Sequence, residues 1–471
     1  MIEYGHQRGK EKKKMAYNFI ECNREQKYLM PPSLKEWLPE GDLSWFVIDA
    51  VEEMDLQEFY IRYREDGWGR AAFNPKMMVS LLLYAYSVGE RSSRRIESFC
   101  ERDVGFRIVT ANQKPDHSTL SRFRKECEKE LEGLFARILK MCAEAKMVKV
   151  GKIALDGTKM DANASLSSNR TQKSIEEEVK KILREASEID EEEDRLYGKT
   201  RRGNELPEEM RTRASRLKRL RECKERLERQ AREAAGKRQE KIDNRQREEL
   251  EEGKKKRCRK PKMPEEVLNK ESKANATDPE SRIMKTRTGY VQGYNAQAVV
   301  TEGQIILAAE LTQEENDVNQ LHSMFNKAKE NVNEAGIKDK FRSGLVDAGY
   351  FSERNIEKEF PDNLELFSAT KKDWKQRKAM REEKSPRGRI PVGLSIRDQM
   401  ERKLLTKRGK QLYRKRGQMI EAVFGQIKGA RGIDRFFRRG INACASEWKW
   451  KLICATHNLL KLFRSGKASW A

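Results

Sequence analysis

Apolar residues spaced three and four positions apart predict helices in the first third of the chain. A helix opens at Pro75, and its apolar side carries Met77, Met78, Leu81, Leu82 and Ala85. A second helix is predicted from about Ser92 to Arg102, and a third begins near Ser118. Asp116 or Ser118 can cap the first amides of the third helix. These patterns predict an all-α domain within residues 1–146, with its helices in 31–146.

The third predicted helix is basic on one side. Arg122, Arg124 and Lys125 alternate with Leu120 and Phe123, which are expected to turn inward. Three short helices of which the last is basic resemble a helix-turn-helix DNA reader. A plain helical bundle with a solvated basic face fits the same pattern, and both interpretations stay open.

Short β-branched runs predict strands further along the chain. The run 148–155 leads into Asp156, the runs 291–300 and 304–311 are joined by a hairpin-like link, and the run 343–346 leads into Asp347. A fifth strand is predicted at 365–369. Helices are predicted at 317–332, 353–360, 413–430 and 446–464, and the basic stretch 371–410 is predicted to be a loop or a loosely held arm.

A highly charged insertion separates the first predicted strand from the second. In residues 170–275, apolar residues recur at steps of three and four on both sides of a break near 198–207, which predicts an antiparallel helical hairpin. Ser174 and Glu177 have the spacing of a capping box. The cationic run 254–262 fits either a phosphate-binding segment or a disordered hinge.

Without the insertion, the elements follow the order βββαβαβα. That order is typical of an RNase H-like α/β fold, a mixed five-stranded sheet with flanking helices. Asp156 would end the first strand, Asp347 would end the fourth, and Glu421 would lie on the last core helix. We expect the fold to bring these three carboxylates together at one edge of the sheet.

The net charge of the chain indicates what kind of molecule it binds. The 471 residues include 99 Lys and Arg against 76 Asp and Glu, a formal net charge of +23. A protein this basic is expected to meet a polyanion, most commonly nucleic acid. The eight cysteines form no C-x-x-C pair, and there are four histidines. Scattered thiols, a polar N-terminus and no long apolar run predict a cytoplasmic protein that does not contact membranes.

Several segments resemble the DDE transposases of bacterial insertion sequences. These segments are PPSLKEWLPEGDLSWFV (31–47), FNPKMMVSLLLYAYSVGERSSRRIE (73–97), PDHSTLSRFRK (115–125), LDGTKMDANAS (155–165), QGYNAQAVV (292–300), GLVDAGYFS (344–352) and YRKRGQMIEAVFGQIK (413–428). They occur in the family's order along nearly the whole chain. The resemblance implies that Asp156, Asp347 and Glu421 hold two Mg²⁺ ions, for which Mn²⁺ can substitute, and catalyse cleavage and strand transfer.

Related families carry the signature Y-x2-R-x3-E-x6-K on the glutamate helix. Tyr413, Arg416, Glu421 and Lys428 match it in type, but Arg416 lies one residue further from Glu421 than the signature requires. By resemblance, Tyr413, Arg416 and Lys428 are expected at the DNA end. Ordinary ion pairs for the two cations, and simple packing for the tyrosine, are the alternatives.

The resemblance also assigns domains and partners. Residues 1–146 would bind the terminal inverted repeats, 147–169 and 276–440 would form the catalytic domain, 170–275 would be the hairpin insertion, and 441–471 would be a C-terminal helix. A homodimer would join two element ends to target DNA. Two other functions remain: a non-catalytic regulator of transposition, and an RNase H-like nuclease that cuts without joining. Asn295, Gln297, Asp161, His117 and His457 are given no functional role.

Overall fold

A computed structural model describes residues 33–63, 71–171, 173–181, 184, 208–251, 273–286, 289–391, 393–437 and 447–468. The predictions for residues 1–30 and for the cationic run 254–262 lie outside these residues. No helix within the described part of the chain is long and apolar enough to cross a membrane.

The N-terminal region is helical, as the apolar spacing predicts. Its helices are α1 (Leu43–Glu52), α2 (Gln57–Tyr60), α3 (Pro75–Ser87), α4 (Ser93–Arg102), α5 (Val104–Val109), α6 (His117–Glu126) and α7 (Glu128–Glu144). Pro75 occupies the first turn of α3, and Asn74 caps it by accepting from the Lys76 amide at 2.8 Å. At α6, Asp116 is the cap: its carboxylate accepts from the Thr119 amide at 2.8 Å.

A mixed sheet with flanking helices forms the second region. The strands are β1 (Lys152–Asp161), β2 (Asn169–Thr171), β3 (Lys273–Asn275), β4 (Arg282–Lys285), β5 (Tyr290–Thr301), β6 (Ile306–Thr312), β7 (Ser343–Val346) and β8 (Glu365–Ser368). The main sheet has the order β4-β5-β1-β7-β8, and β6 also pairs with β5. It has six strands rather than the predicted five, because β4, which was not predicted, pairs with the first four residues of β5.

The first strand is longer than predicted. Asp156 was expected at the end of the strand, but β1 continues five residues to Asp161, so that expectation is wrong. The reason is β5, which pairs with β1 without a break from Ile153 opposite Thr301 to Asp161 opposite Gly293. A strand ladder of this length overrides the turn signal in Asp-Gly-Thr. Asp347 follows β7 directly, as predicted.

The parallel half of the sheet brings the two aspartates side by side. β7 pairs with β1 in parallel from Lys152 opposite Ser343 to Ala154 opposite Leu345, and β8 continues beside β7. Asp156 and Asp347 each lie two residues beyond the last of these β1–β7 pairs. The register therefore places both at the same end of two neighbouring strands.

Helices cover the sheet and complete the chain. They are α9 (Leu321–Glu334), α10 (Glu353–Glu357), α11 (Asp373–Glu382), α12 (Ile396–Leu405), α13 (Lys407–Arg416), α14 (Ala422–Gly425) and α15 (Glu447–Ser465). The prediction of a loop or a loosely held arm at 371–410 is wrong, because α11 and α12 lie there. Met380, Met400 and Leu404 are buried, so these basic helices have apolar sides that pack onto the core. α15 packs against α3, α7 and β6, and so joins the helical region to the sheet.

The charged insertion is helical where it is described. Helix α8 (Glu208–Glu251) has 44 residues, and residues 173–181 are also helical. Ile175 packs with Leu220, Cys223 and Leu227 of α8 in a small separate core. β2 and β3, which precede and follow the insertion in the chain, pair with each other.

Candidate active site

Arg416 lies at the centre of the three predicted carboxylates. Its guanidinium donates to Asp156 Oδ2 at 2.6 Å, and it lies 3.9 Å from Asp347 Oδ2 and 3.8 Å from Glu421 Oε1. The Arg416 side chain is only 5% exposed. The structure thus brings Asp156, Asp347 and Glu421 to one place, and it adds a buried cation between them.

The glutamate is the most exposed of the three. Glu421 keeps 49% of its side-chain surface, and its carboxylate also accepts from Arg377 at 2.8 Å. Arg377 in turn pairs with Asp373 at 2.8 Å in the first turn of α11. A cavity of about 630 Å³ opens beside these side chains, and Tyr413 and Gly417 also line it.

A π-helical turn accounts for the unusual spacing of Arg416 and Glu421. The chain is helical without interruption from α13 through Gly417–Glu421 and α14 to Gln426–Ala430, and both of the named connecting turns are π-helical. A π turn accommodates one residue more than an α turn. The extra residue between Arg416 and Glu421 therefore does not rotate the two side chains apart, and they face the same site.

Burial and like charges hold the two aspartates toward their neutral forms. Burial raises the pKa of Asp156, the Arg416 charge opposes that rise, and Asp347 adds to it. The pKa of Asp347 is raised as well, mainly by burial, with Arg416 again opposing. Backbone amides of Gly157 and Gly349 each donate to the neighbouring aspartate at 2.8 Å. The charge of Arg416 therefore offsets only part of the cost of burying the two aspartates together.

A fourth carboxylate borders the site, and sequence analysis missed it. Asp317 Oδ1 accepts from Asn295 at 2.6 Å and from Gln297 at 2.8 Å, and Lys159 lies 3.6 Å away. Gln297 also accepts from the buried Tyr350 hydroxyl. Asn295 and Gln297 alternate on β5, so both point at one face; that period of two was the signal in the sequence.

Two other residues of the expected signature are buried or half-buried. Tyr413 is buried beside Arg416, and burial raises the pKa of its hydroxyl. Lys428 is half-buried and donates to the Lys159 carbonyl at 2.7 Å and to Thr158 Oγ1 at 3.2 Å. Lys428 thereby connects the glutamate helix to β1 at Thr158 and Lys159.

The basic helix α6 is divided between surface and interior. Arg122 and Lys125 are exposed, as a DNA-reading surface requires. Arg124 is 5% exposed and donates to the Arg91 carbonyl at 2.9 Å. The expectation of three outward basic side chains is therefore wrong for Arg124, which points between α6 and α4 into the junction with the sheet region.

Comparisons with protein families bear on both regions. Residues 32–126 match a family model described as "Transposase domain (DUF772)", and residues 375–463 match one described as "Transposase DDE domain". The two matches support a DDE transposase of the insertion-sequence type. No curated protein and no solved structure matches the chain. Glu421 and Arg416 lie inside the match to the DDE domain, whereas Asp156 and Asp347 lie before it.

The carboxylates of this site have the right chemistry to bind hard divalent cations. Carboxylate oxygens are the ligands that Mg²⁺ prefers. Gly349 leaves space between two of them, since a Cβ there would lie 3.0 Å from Asp347 Oδ1 and 3.3 Å from Asp317 Oδ2. Among the described residues, however, no three acidic, histidine or cysteine side chains lie close enough together to hold one metal ion as they stand. The carboxylates instead surround Arg416, whose guanidinium is the cation at the centre.

Proposed function

We propose that this transposase cuts the ends of its own mobile element and joins them to target DNA. The observation that carries the proposal is the convergence of Asp156, Asp347 and Glu421 on one buried cation. These residues lie 191 and then 74 positions apart in the sequence. The mixed sheet supports an RNase H-like catalytic core. Along the chain, its strands and helices follow the predicted order, with β4 added before β5.

Asp156, Asp347 and Glu421 would hold the divalent ions, Mg²⁺ or Mn²⁺. Bound there, such ions polarise a phosphodiester and stabilise the oxyanions of attack and departure. Arg416 would keep the two aspartates close together in the free protein, because its charge opposes the rise in their pKa and offsets their repulsion. Gly157 and Gly349 would fix the carboxylate orientation through their amides. Asp317 would add a further negative charge at the edge of the site.

The remaining regions would bind nucleic acid and a second chain. The helical region around α6 would bind the terminal inverted repeats, with Arg122 and Lys125 contacting phosphates or bases. Lys428 would contact the DNA end near β1. Two ends must be joined in one complex, so a homodimer on DNA is expected, with the insertion as a candidate contact. Gel filtration of a chain lacking 170–270 tests this contact, and an unchanged dimer would refute it.

The test of the function is a cleavage and joining assay. A labelled duplex of the element's end is incubated with Mg²⁺, Mn²⁺ or EDTA, and RNA of the same sequence serves as a second substrate. Asp156→Asn, Asp347→Asn and Glu421→Gln should each lower the rate by roughly a thousand-fold or more, because several kcal/mol of transition-state stabilisation depends on the ions. DNA binding should persist.

Asp161→Asn is the matched control. It makes the same chemical change on the same strand, five residues from Asp156, and should retain most activity. Binding without cleavage by the wild type would favour a regulator that lacks catalysis. Cleavage without joining, or cleavage of RNA, would favour a nuclease.

A further inference from the structure

A basic cavity of about 410 Å³ lies where the helical region meets the sheet region. Its walls come from the start of α4, from α6, from α15 and from the segment that follows the glutamate helix. We call it the arginine pocket, and we define it by Arg91, Arg94, His117, Arg124 and Phe437. The pocket is separate from the cavity beside Glu421.

Two arginines of the pocket are buried and incompletely bonded. Arg91 is 7% exposed and Arg124 is 5% exposed. Arg124 donates through Nη1 to the Arg91 carbonyl and to Ser93 Oγ, and Arg91 donates through Nη1 to the Arg435 carbonyl. Arg124 Nε and Nη2 and Arg91 Nε have no hydrogen-bond partner in the described structure. Buried donors of this kind normally have partners.

Arg91 and Arg124 have no carboxylate partner among the described residues. The described lining residues include three arginines and a histidine but no carboxylate. Of the acidic groups nearby, Glu97 contacts His117 of the pocket, and Glu90 accepts from the Arg91 and Ser92 amides and pairs with Arg95. Burial lowers the pKa of Arg91; Tyr86, Asp434 and Glu90 oppose that change, and the Arg124 charge adds to it. A bound anion would relieve the cost of burying the two guanidinium groups.

We propose that the arginine pocket binds one backbone phosphate of the DNA end. Arginine offers a planar fork of donors that matches phosphate oxygens. Ser93 and Arg94, which open α4, add amides of a helix N-terminus, which favour anions, whereas the Ser92 amide already donates to Glu90. The centre of the Phe437 ring lies 4.5 Å from the Arg91 guanidinium, which is the distance of a cation–π contact.

The position of the pocket favours DNA over a free anion. Arg91 bonds the carbonyl of Arg435, and Arg435 bridges Asp161 at the end of β1. Asp161 is five residues along β1 from Asp156, or roughly 17 Å at about 3.3 Å per residue. One DNA strand spans that distance in about five nucleotides. A DNA strand that leaves the carboxylates along β1 would therefore run toward Arg435 and the pocket beside it.

This inference rests on the proposed function, and phosphate replacement tests it. The element's end duplex is prepared with single methylphosphonates, each of which removes one phosphate charge. Binding to the full-length chain is measured in EDTA. One position should weaken wild-type binding about ten-fold or more, the loss expected for a charged hydrogen bond. The same replacement should have no effect on Arg124→Gln or Arg91→Gln, whose affinity for the unmodified duplex is already reduced.

Lys140→Gln on α7 is the control, since it removes an exposed charge from the same helical region. It should bind like the wild type and keep the position-specific loss. Melting temperatures without DNA separate binding from folding: Arg124→Gln should melt no lower than the wild type, because it removes an uncompensated buried charge. A variant that melts lower and binds weakly at every position would overturn the proposal in favour of a structural role.

Two more outcomes decide the ligand. If Arg124→Gln binds DNA like Lys140→Gln but loses stabilisation by inorganic phosphate, the pocket takes a small anion and the DNA proposal is wrong. If the wild type binds the end duplex while every methylphosphonate has the same effect on the wild type and on Arg124→Gln, the pocket does not bind a DNA phosphate, and the proposed function stands. A wild type that binds no DNA at all would overturn both.

Discussion

The carboxylate site and the arginine pocket place the same buried side chain in opposite surroundings. At the carboxylate site, one arginine, Arg416, lies within 4 Å of Asp156, Asp347 and Glu421. In the pocket, Arg91 and Arg124 lie together, and no carboxylate is among the described lining residues. The first region gathers acidic side chains around one cation, and the second gathers basic side chains. Under the two proposals, each region is completed by a ligand of opposite charge.

The largest difference should appear when each buried arginine is removed. Above the raised pKa of Asp156, which is about 7, Arg416→Gln leaves an ionised carboxylate buried without its cation, which costs about 3–5 kcal/mol. Arg124→Gln removes a charge that has no counter-ion and should cost nothing or stabilise the free protein. Calorimetric melting in EDTA measures both.

Mg²⁺ should recover part of the loss in Arg416→Gln, since the carboxylates can then bind a different cation. Equal losses in the two arginine variants would break the comparison, because they would make both arginines ordinary structural contacts.

His457 shows how the protein buries a basic group without a counter-ion. The ring is 1% exposed and bonds the Gln304 carbonyl at 2.9 Å, and burial lowers its pKa to about 3. The unfolded chain binds this proton below about pH 6.5, whereas the folded chain does not. Stability should therefore fall by up to about 1.4 kcal/mol per pH unit as pH drops from about 6.5 toward 3.

Melting of the wild type and of His457→Gln between pH 7 and 5 checks this slope. The variant starts from lower stability, yet its pH dependence should be shallower by that amount. Parallel curves would mean that His457 takes up a proton in the folded protein.

Asp156 should give a pH effect of the opposite sign. Its raised pKa means that the metal-free folded protein binds a proton that the unfolded chain has released. The resulting stability is present below the ordinary aspartate pKa, near 3.9, and is lost as pH rises through the raised value. In EDTA, the wild type should lose stability relative to Asp156→Asn as pH increases.

Addition of Mg²⁺ should abolish this difference and release protons, since the ion binds the carboxylate. Calorimetric titration with Mg²⁺ in two buffers of different ionisation enthalpy counts these protons. A proton count that is unchanged in Asp156→Asn would place the metal elsewhere.

The smallest effect is expected for the exposed ion pair between Arg377 and Glu421. Both side chains are about half exposed, so Arg377→Gln should change stability by less than about 1 kcal/mol, and salt should shrink the change further. Cleavage should persist, because Glu421 is then freer to bind a metal. Loss of cleavage with intact folding would show that Arg377 takes part in the site.

The sequence predicted the sheet well and the site in part. Hydrophobic runs located β5, β6, β7 and β8, because buried strands carry a continuous apolar pattern. The end of β1 was misplaced since pairing with β5, a long-range contact, extends it past Asp156. Helices α11 and α12 were missed because their basic residues hid short apolar sides.

The arrangement around the acids depends on tertiary structure. Motif spacing identified Asp156, Asp347 and Glu421 as candidates, but it could not show that Arg416 lies between them or that a π turn aligns it with Glu421. Asp317 was missed because a lone aspartate in a loop carries no pattern. The inward direction of Arg124 arises from the packing of α6 against α4, which local sequence does not encode.

The most direct test of this account compares Asp156→Asn and Arg124→Gln in one assay of DNA binding and cleavage over a range of protein concentrations. Asp156→Asn should bind the element's end like the wild type and cleave nothing at any concentration. Arg124→Gln should bind weakly, yet approach the wild-type cleavage rate when the DNA is saturated. If both variants lose binding and cleavage together, the two regions are not separate sites of opposite charge, and the account is wrong.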